Sequence, residues 1–117
     1  MKSDNVVQVK SYAFAIKIVK LYKHLSEDKK EYTLSKQLLR SATSVGANIE
    51  EAIGGQSRKD FYAKLTIAYK EARETKYWLR LLTDTDFLTK KQSLPLLEDI
   101  EELLRIIGSI QKTIRNS

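Results

Sequence analysis

Cysteine is absent from this chain of 117 residues, proline and histidine occur once each, and glycine occurs four times. Without thiols there is no disulfide, no thiolate zinc ribbon or finger and no cysteine nucleophile, a composition that a reducing compartment permits. So little proline and glycine leaves few breaks in the hydrophobic periodicity. Strand alternation is seen nowhere, and the pattern predicts long helices joined by tight connections. No apolar run approaches the ~18 residues of a membrane span. The opening residues Met1-Lys2-Ser3-Asp4-Asn5 run into a lysine-punctuated amphipathic segment instead of the apolar core of a secretory leader, so the expected location is cytoplasmic.

What is present suffices for one domain covering residues 1–117, since 42% of the chain is apolar. Lysine and arginine number 21 against 15 aspartates and glutamates, a net charge of +6 that favours acidic partners if the excess collects on one surface. Four periodic segments are delimited. The first is expected from about Asp4 to Leu25, ending in the charged loop Ser26-Glu27-Asp28-Lys29-Lys30-Glu31, and the second from near Thr33 to Gly54-Gly55, a C-terminal signal. Ser57, with Asp60 three residues on, caps a third helix that reaches about Thr83 before Asp84-Thr85-Asp86 interrupts it. The fourth runs roughly from Thr89 to Arg115 and has two candidate starts. Thr89 with Gln92 makes a capping box, but Pro95 fits better near the first turn of a helix capped by Ser93, with a bend there.

At 100° per residue the third segment carries one seam of Phe61, Leu65, Ala68, Ala72, Thr75, Leu79 and Leu82. The second buries Leu34, Leu38, Ala42, Val45, Ile49, Ala52 and Ile53, and the fourth a stripe from Leu96 through Ile100, Leu103 and Ile107 to Ile114. The first differs. Tyr12, Phe14, Ala15, Ile16, Ile18, Val19, Leu21, Tyr22 and Leu25 cover more than half of its circumference and leave mainly Lys10, Lys17 and Lys20 for water. So wide an arc predicts a helix that faces its own core on one side and another subunit on the other.

Few residues offer catalytic chemistry. His24 sits beside a charged loop, without a carboxylate pair or a nearby upstream arginine of the kind found in helical-bundle ribonucleases, and reads as a surface histidine. Glu50-Glu51, Glu71 with Glu74, and Glu98, Asp99, Glu101 and Glu102 share the helical spacing that binds magnesium in all-helical nucleotide pyrophosphatases. A solvated or salt-bridged face is the more economical reading of these acids. Gly54-Gly55-Gln56-Ser57 lacks the preceding strand and the Gly-Lys-Ser/Thr signature of a phosphate loop. The expectation is a non-enzyme with no cofactor and no metal.

The positive signal lies beside the seam of the third helix. Arg58, Lys59, Tyr62, Tyr69, Lys70, Arg73, Lys76, Tyr77 and Arg80 share one arc of about 120°. Cations pair with phosphates and tyrosine rings stack on unpaired bases, so the mixture suits RNA, or single-stranded DNA, read without a sequence code. The competing reading is that the tyrosines pack at the edge of the core while the cations lie over them.

Residues 37–52, Gln-Leu-Leu-Arg-Ser-Ala-Thr-Ser-Val-Gly-Ala-Asn-Ile-Glu-Glu-Ala, followed by Ser57 with Phe61 and by Ala68 with Glu74, carry a resemblance. They look like the bacterial four-helix-bundle proteins encoded in intervening sequences of 23S rRNA genes, often labelled ribosomal proteins. Ser41, Val45 and Ala52 stand where that family tends to have Ala, Ile and Gly. The resemblance implies an all-α, antiparallel up-down-up-down four-helix bundle that assembles as a barrel-like homopentamer, with Gln37, Arg40, Ser44, Asn48, Glu51 and Glu74 as structural motif residues. The accessory variability protein of diversity-generating retroelements looks like a relative of the same shape, one that binds a reverse transcriptase and its RNA through a basic surface. The function expected here is therefore an oligomeric accessory protein that binds structured or single-stranded RNA, in preference to DNA, through the basic face, with a reverse transcriptase or rRNA partner. No membrane or small-molecule substrate is expected, and the alternative is a protein–protein scaffold. Within the motif, Asn48 and Glu51 are expected to hydrogen-bond a neighbouring helix or loop end, because polar groups at a close helix contact must be satisfied.

Overall fold

The chain folds as four helices: α1 (Lys2–Glu27), α2 (Leu34–Ile53), α3 (Arg58–Asp84) and α4 (Lys90–Arg115). The computed structural model describes residues 2–117, with side chains from Val6 onward. Each helix packs against its neighbours in the chain, and α4 closes the circle on α1. The short connections make successive helices antiparallel, in an elongated bundle of 47 × 21 × 19 Å. No helix among the described residues is long and apolar enough to cross a membrane.

The core follows from the 3.6-residue period. Phe14, Ile18 and Leu25 meet Leu38, Val45 and Ile49 from α2, Leu65, Leu79 and Leu82 from α3, and Ile100, Leu103 and Ile107 from α4, all buried. Each large apolar side chain so buried is stabilised by roughly 1.5–3 kcal/mol relative to exposure. Small residues sit where α2 meets α3: Ala42, Ala68 and Ala72 are fully buried, and Thr75 Oγ1 donates to Ser41 Oγ at 3.0 Å in the same layer. Phe61 and Leu34, at the ends of their stripes, are half-buried, and Ile53 is exposed.

The helix ends are satisfied by local chemistry that the sequence revealed only in part. Ser57 accepts from the Asp60 N–H, as its spacing predicts. At α4 the Thr89–Gln92 capping box forms, so the start at Ser93 is not used. Ser93 is instead buried, and Pro95 is the sixth residue of a helix that runs unbroken from Lys90 to Arg115. At α2 the cap is Glu31. Its buried carboxylate accepts from the N–H groups of Thr33, Leu34 and Ser35 at 3.1, 2.8 and 2.7 Å, while the Ser35 hydroxyl donates to the Glu31 carbonyl. Burial alone would raise the Glu31 pKa, but these donors outweigh it and hold the carboxyl below its ordinary range.

Neither glycine after α2 takes a left-handed conformation; Gly54 has φ −79°. Gly55 is needed for space instead, because a Cβ there would stand 3.1 Å from the Ala52 carbonyl oxygen. Left-handed backbone is found instead at Lys30, at φ 57°, and at Asp86, at φ 69°. Phe87 N–H donates to Leu82 O and Asp86 N–H to Thr83 O, the pair of bonds of a Schellman ending for α3. Glycine has no Cβ penalty there, so Asp86→Gly is expected to raise stability by ~0.5–1 kcal/mol in chemical denaturation. An unchanged or lower midpoint would contradict that account.

Candidate nucleic-acid interface

The basic residues of α3 lie on the flank turned toward α4 and outward. Between Arg58 and Arg80 that arc contains no carboxylate, since Asp60, Glu71 and Glu74 all lie on the opposite flank. That opposite flank is consumed by α2: Arg40 binds Glu71 at 3.0 Å and also Glu74, which accepts from Trp78 Nε1 at 2.9 Å, and Lys64 pairs with Glu51 at 3.1 Å. The acids of α4 reach both ways, with Asp99 on Lys17 and Glu102 on Lys10 of α1, and Glu101 on Lys76 of α3. Lys10 and Lys17 are exposed, as expected, and lie along the α1–α4 seam. Of the acids whose spacing resembles magnesium motifs, Glu51, Glu71, Glu74, Asp99, Glu101 and Glu102 thus face cations, while Glu50 accepts from the Gln8 side-chain amide.

Between α3 and α4 a cavity of about 420 Å³ opens. Tyr69, Arg73, Lys76, Tyr77 and Arg80 line it from α3, and Glu101, Leu104 and Arg105 from α4. The sequence reading missed the α4 contribution. Arg105, Lys112 and Arg115 follow Glu101 at helical spacing along one flank, a pattern visible only once that flank is known to adjoin α3. Gly108 lies against the Tyr69 ring, and a Cβ there would meet its Cε2 at 3.7 Å, an ordinary contact.

The nine predicted contact residues are not equivalent. Lys76 Nζ is 2.5 Å from Glu101 Oε1, Arg58 donates to the Ser117 hydroxyl, and the Tyr62 hydroxyl accepts from Arg115 at 2.7 Å. Lys59, Lys70, Arg73 and Arg80 are exposed and, among the described residues, make no hydrogen bond or ion pair through their side chains. Tyr62 and Tyr69 are half-buried with their rings at the helix interface, whereas Tyr77 is 53% exposed and stands edge-on to Trp78 at 4.9 Å between centroids. The Lys76 ammonium is the main influence on Glu101; burial opposes it, Arg105 and Arg73 add to it, and the carboxyl is held below its ordinary range. Glu101 is therefore an anion within a cationic groove.

The motif residues of α2 do structural work, with one correction. Glu51 reaches α3 through Lys64 as expected, but Asn48 donates to the Ser44 carbonyl of its own helix at 2.8 Å and to the Ser44 hydroxyl at 3.3 Å. An asparagine one turn after a serine can satisfy itself locally, so no partner helix is required. Gln37 accepts from Arg40 at 3.4 Å, a long contact. His24 is half-buried rather than fully at the surface: Nδ1 lies 2.8 Å from Asp28, and Nε2 has no partner among the described residues.

On α1, Val9, Tyr12, Ile16 and Val19 form an outward stripe, 68%, 67%, 44% and 37% exposed, at spacings of three and four residues. Beside it Tyr12 and Ala15 meet Thr43, Gly46 and Ala47 of α2 around a shallow apolar hollow of about 300 Å³. The wide apolar arc read from the sequence therefore divides into a buried half and an exposed half.

These features define an all-helical bundle with a cationic groove along one side and an apolar stripe along another. The chain belongs to the 23S rRNA-intervening sequence protein family, which it matches over residues 3–109. It is similar to a protein of unknown function from the S23 ribosomal protein family of Bacteroides thetaiotaomicron, at 52% identity over 94% of this chain and 98% of that one, with a TM-score of 0.93. No curated protein matches the chain.

Proposed function

We propose that this protein is a non-enzymatic accessory factor that self-associates through the outer face of α1 and binds RNA along the α3–α4 groove. The observation that carries the reading is the one-sided distribution of charge. Among the described residues Lys59, Lys70, Arg73 and Arg80 stand unpaired on one flank of α3, and Arg105 joins Arg73 and Arg80 around the cavity. An evenly solvated surface intersperses both signs, as the α2–α3 flank of this bundle does through Arg40, Glu71, Glu74, Lys64 and Glu51. Phosphate-binding faces do not. Tyr77 adds an exposed ring on which an unpaired base can stack. Repetition of the groove around an oligomer, a pentamer if it follows the resemblance, multiplies weak contacts by effective concentration.

Electrophoretic shift of a structured RNA across a salt series tests the reading. Neutralising about four phosphates of a single strand gives a log–log slope near −3, and Arg73→Glu with Arg80→Glu should weaken binding at least ~100-fold at 50 mM salt. Both arginines are exposed, so the double variant keeps the fold, which circular dichroism verifies. Absence of any shift at low salt, or equal binding by the variant, removes this function and favours a scaffold for a protein partner.

A further inference from the structure

Four contacts fix how α4 lies against α3: Lys76 with Glu101, Tyr69 with Gly108, Thr66 with Gln111 and Tyr62 with Arg115. Each step forward along α4 matches an equal step back along α3, as antiparallel helices require. The same register sets Arg105 opposite Ala72 and beside Arg73, so the two arginines meet across the groove at one level of the cavity. The Lys76–Glu101 ion pair bounds that level on one side, and the Tyr69 ring against Gly108 bounds it on the other. Glu101 Oε1 is buried and held 2.5 Å from Lys76 Nζ, so this carboxylate answers the charge of the lysine. Arg73 and Arg105 are both exposed, and among the described residues neither makes a hydrogen bond or ion pair through its side chain. Two like charges that face each other across a groove repel, and an anion between them relieves the repulsion.

We propose that Arg73 and Arg105 form a two-armed clamp for a phosphate monoester, and that its occupant is the 5′-phosphorylated end of an RNA strand. A monoester carries a charge of about −1.5 to −2 at neutral pH and three terminal oxygens, so two guanidinium forks can grip it at once by sharing one oxygen. A diester inside a strand carries one charge and two such oxygens, enough for a single fork. A terminus also needs no path out of the cavity, whereas a continuing strand must pass over the ion pair or the tyrosine ring that bounds this level. Tyr77, one turn beyond Arg73, presents its exposed ring to the first base. Arg80 stands roughly 10 Å from Arg73 along the helix axis, in place for a following phosphate. Recognition of a strand end deepens the RNA-binding reading and rests on it.

The probes are uridine heptamers with a 3′ dye, one ending in a 5′-phosphate and one in a 5′-hydroxyl, and a 5′-hydroxyl nonamer whose total charge equals that of the phosphorylated heptamer. In anisotropy titrations at low salt the phosphorylated heptamer should bind ~10-fold tighter than either of the others, the scale of one added charge-assisted bond. Arg105→Lys keeps the charge but loses the fork, and should bring the ratio between the two heptamers close to one. Arg80→Ala, outside the clamp, should weaken both heptamers and keep the ratio. Uridine 5′-monophosphate separates a strand end from a small phosphorylated ligand, and should displace the phosphorylated heptamer only far above the dissociation constant of that RNA. A ratio near one in the parent, a nonamer as tight as the phosphorylated heptamer, or an unaltered ratio in Arg105→Lys overturns the clamp and leaves RNA binding standing. Monophosphate that binds as tightly as the RNA gives the cavity to a small ligand and overturns the strand end. If no probe binds, the inference fails together with the function on which it rests.

Discussion

Glu31→Ala is expected to lower the unfolding free energy by about 2–3 kcal/mol, because it strips the first turn of α2 of a charged acceptor shared by three N–H groups in a buried setting. For a chain of this size that is roughly 4 °C of melting temperature per kcal/mol. The sign of the pH dependence follows from the depressed pKa. Unfolded, the carboxyl titrates near 4.5; folded, it titrates lower. Its contribution is thus fully present above pH 4.5 and is lost as pH falls through the folded value. Denaturation of the parent and of Glu31→Gln should therefore give curves well separated at pH 7 that converge toward pH 3. Curves separated equally at both values, or a loss under ~0.5 kcal/mol for the alanine variant, would mean that another group caps α2.

Ile16→Asp combined with Val9→Asp should turn the protein into a monomer at micromolar concentration while leaving the fold of each chain intact. Val9 is 68% and Ile16 44% exposed in the single chain, so substitutions there shift its own stability by only about 0.5–1 kcal/mol per site. In an assembly that buries the stripe, each copy instead brings unpaired carboxylates into an apolar contact, at several kcal/mol per interface. Sedimentation velocity separates the outcomes. A parent that already sediments as a monomer, or a variant that keeps the parent's mass, would show that this stripe is not the contact between copies. The matched control is Ile18→Asp, two residues away but fully buried, which should unfold the chain.

Particular residues show where sequence reasoning reached and where it stopped. The buried members of the α3 seam, Leu65 to Leu82, were legible because helical period alone sorts them, and Ser57 was legible because serine caps by a known local bond. Glu31 was not. It lies outside the usual cap residue types, two positions before Thr33, and acts through a loop geometry that no periodicity encodes. The sequence favoured Ser93 over the capping box at Thr89 because proline at the sixth helical position runs against local preference, and burial of Ser93 and Leu96 decides for Thr89. In the groove, the arc of α3 was readable from spacing. The partnership of Lys76 with Glu101 and the arrival of Arg105 depend on the rotation of α4 against α3, which is a tertiary quantity. Asn48 shows the reverse failure, where a non-local partner was expected and a neighbour one turn away suffices.

The circular order of the helices has a kinetic consequence. Three of the four seams join helices consecutive in the chain, so most native contacts close short loops, and a topology of that kind folds on the microsecond to millisecond scale. The exception is the seam between α1 and α4, the thinnest of the four, which brings together residues as distant as Lys10 and Glu102 through partly exposed ion pairs. Entropy of loop closure is greatest there and the direct reward smallest. In hydrogen exchange, the bundle should open first along that line, swinging α1 outward as a unit while α2 and α3 stay protected. The helix that opens most readily is also the one that carries the apolar stripe, so docking of a second copy would close the least secure joint of the first.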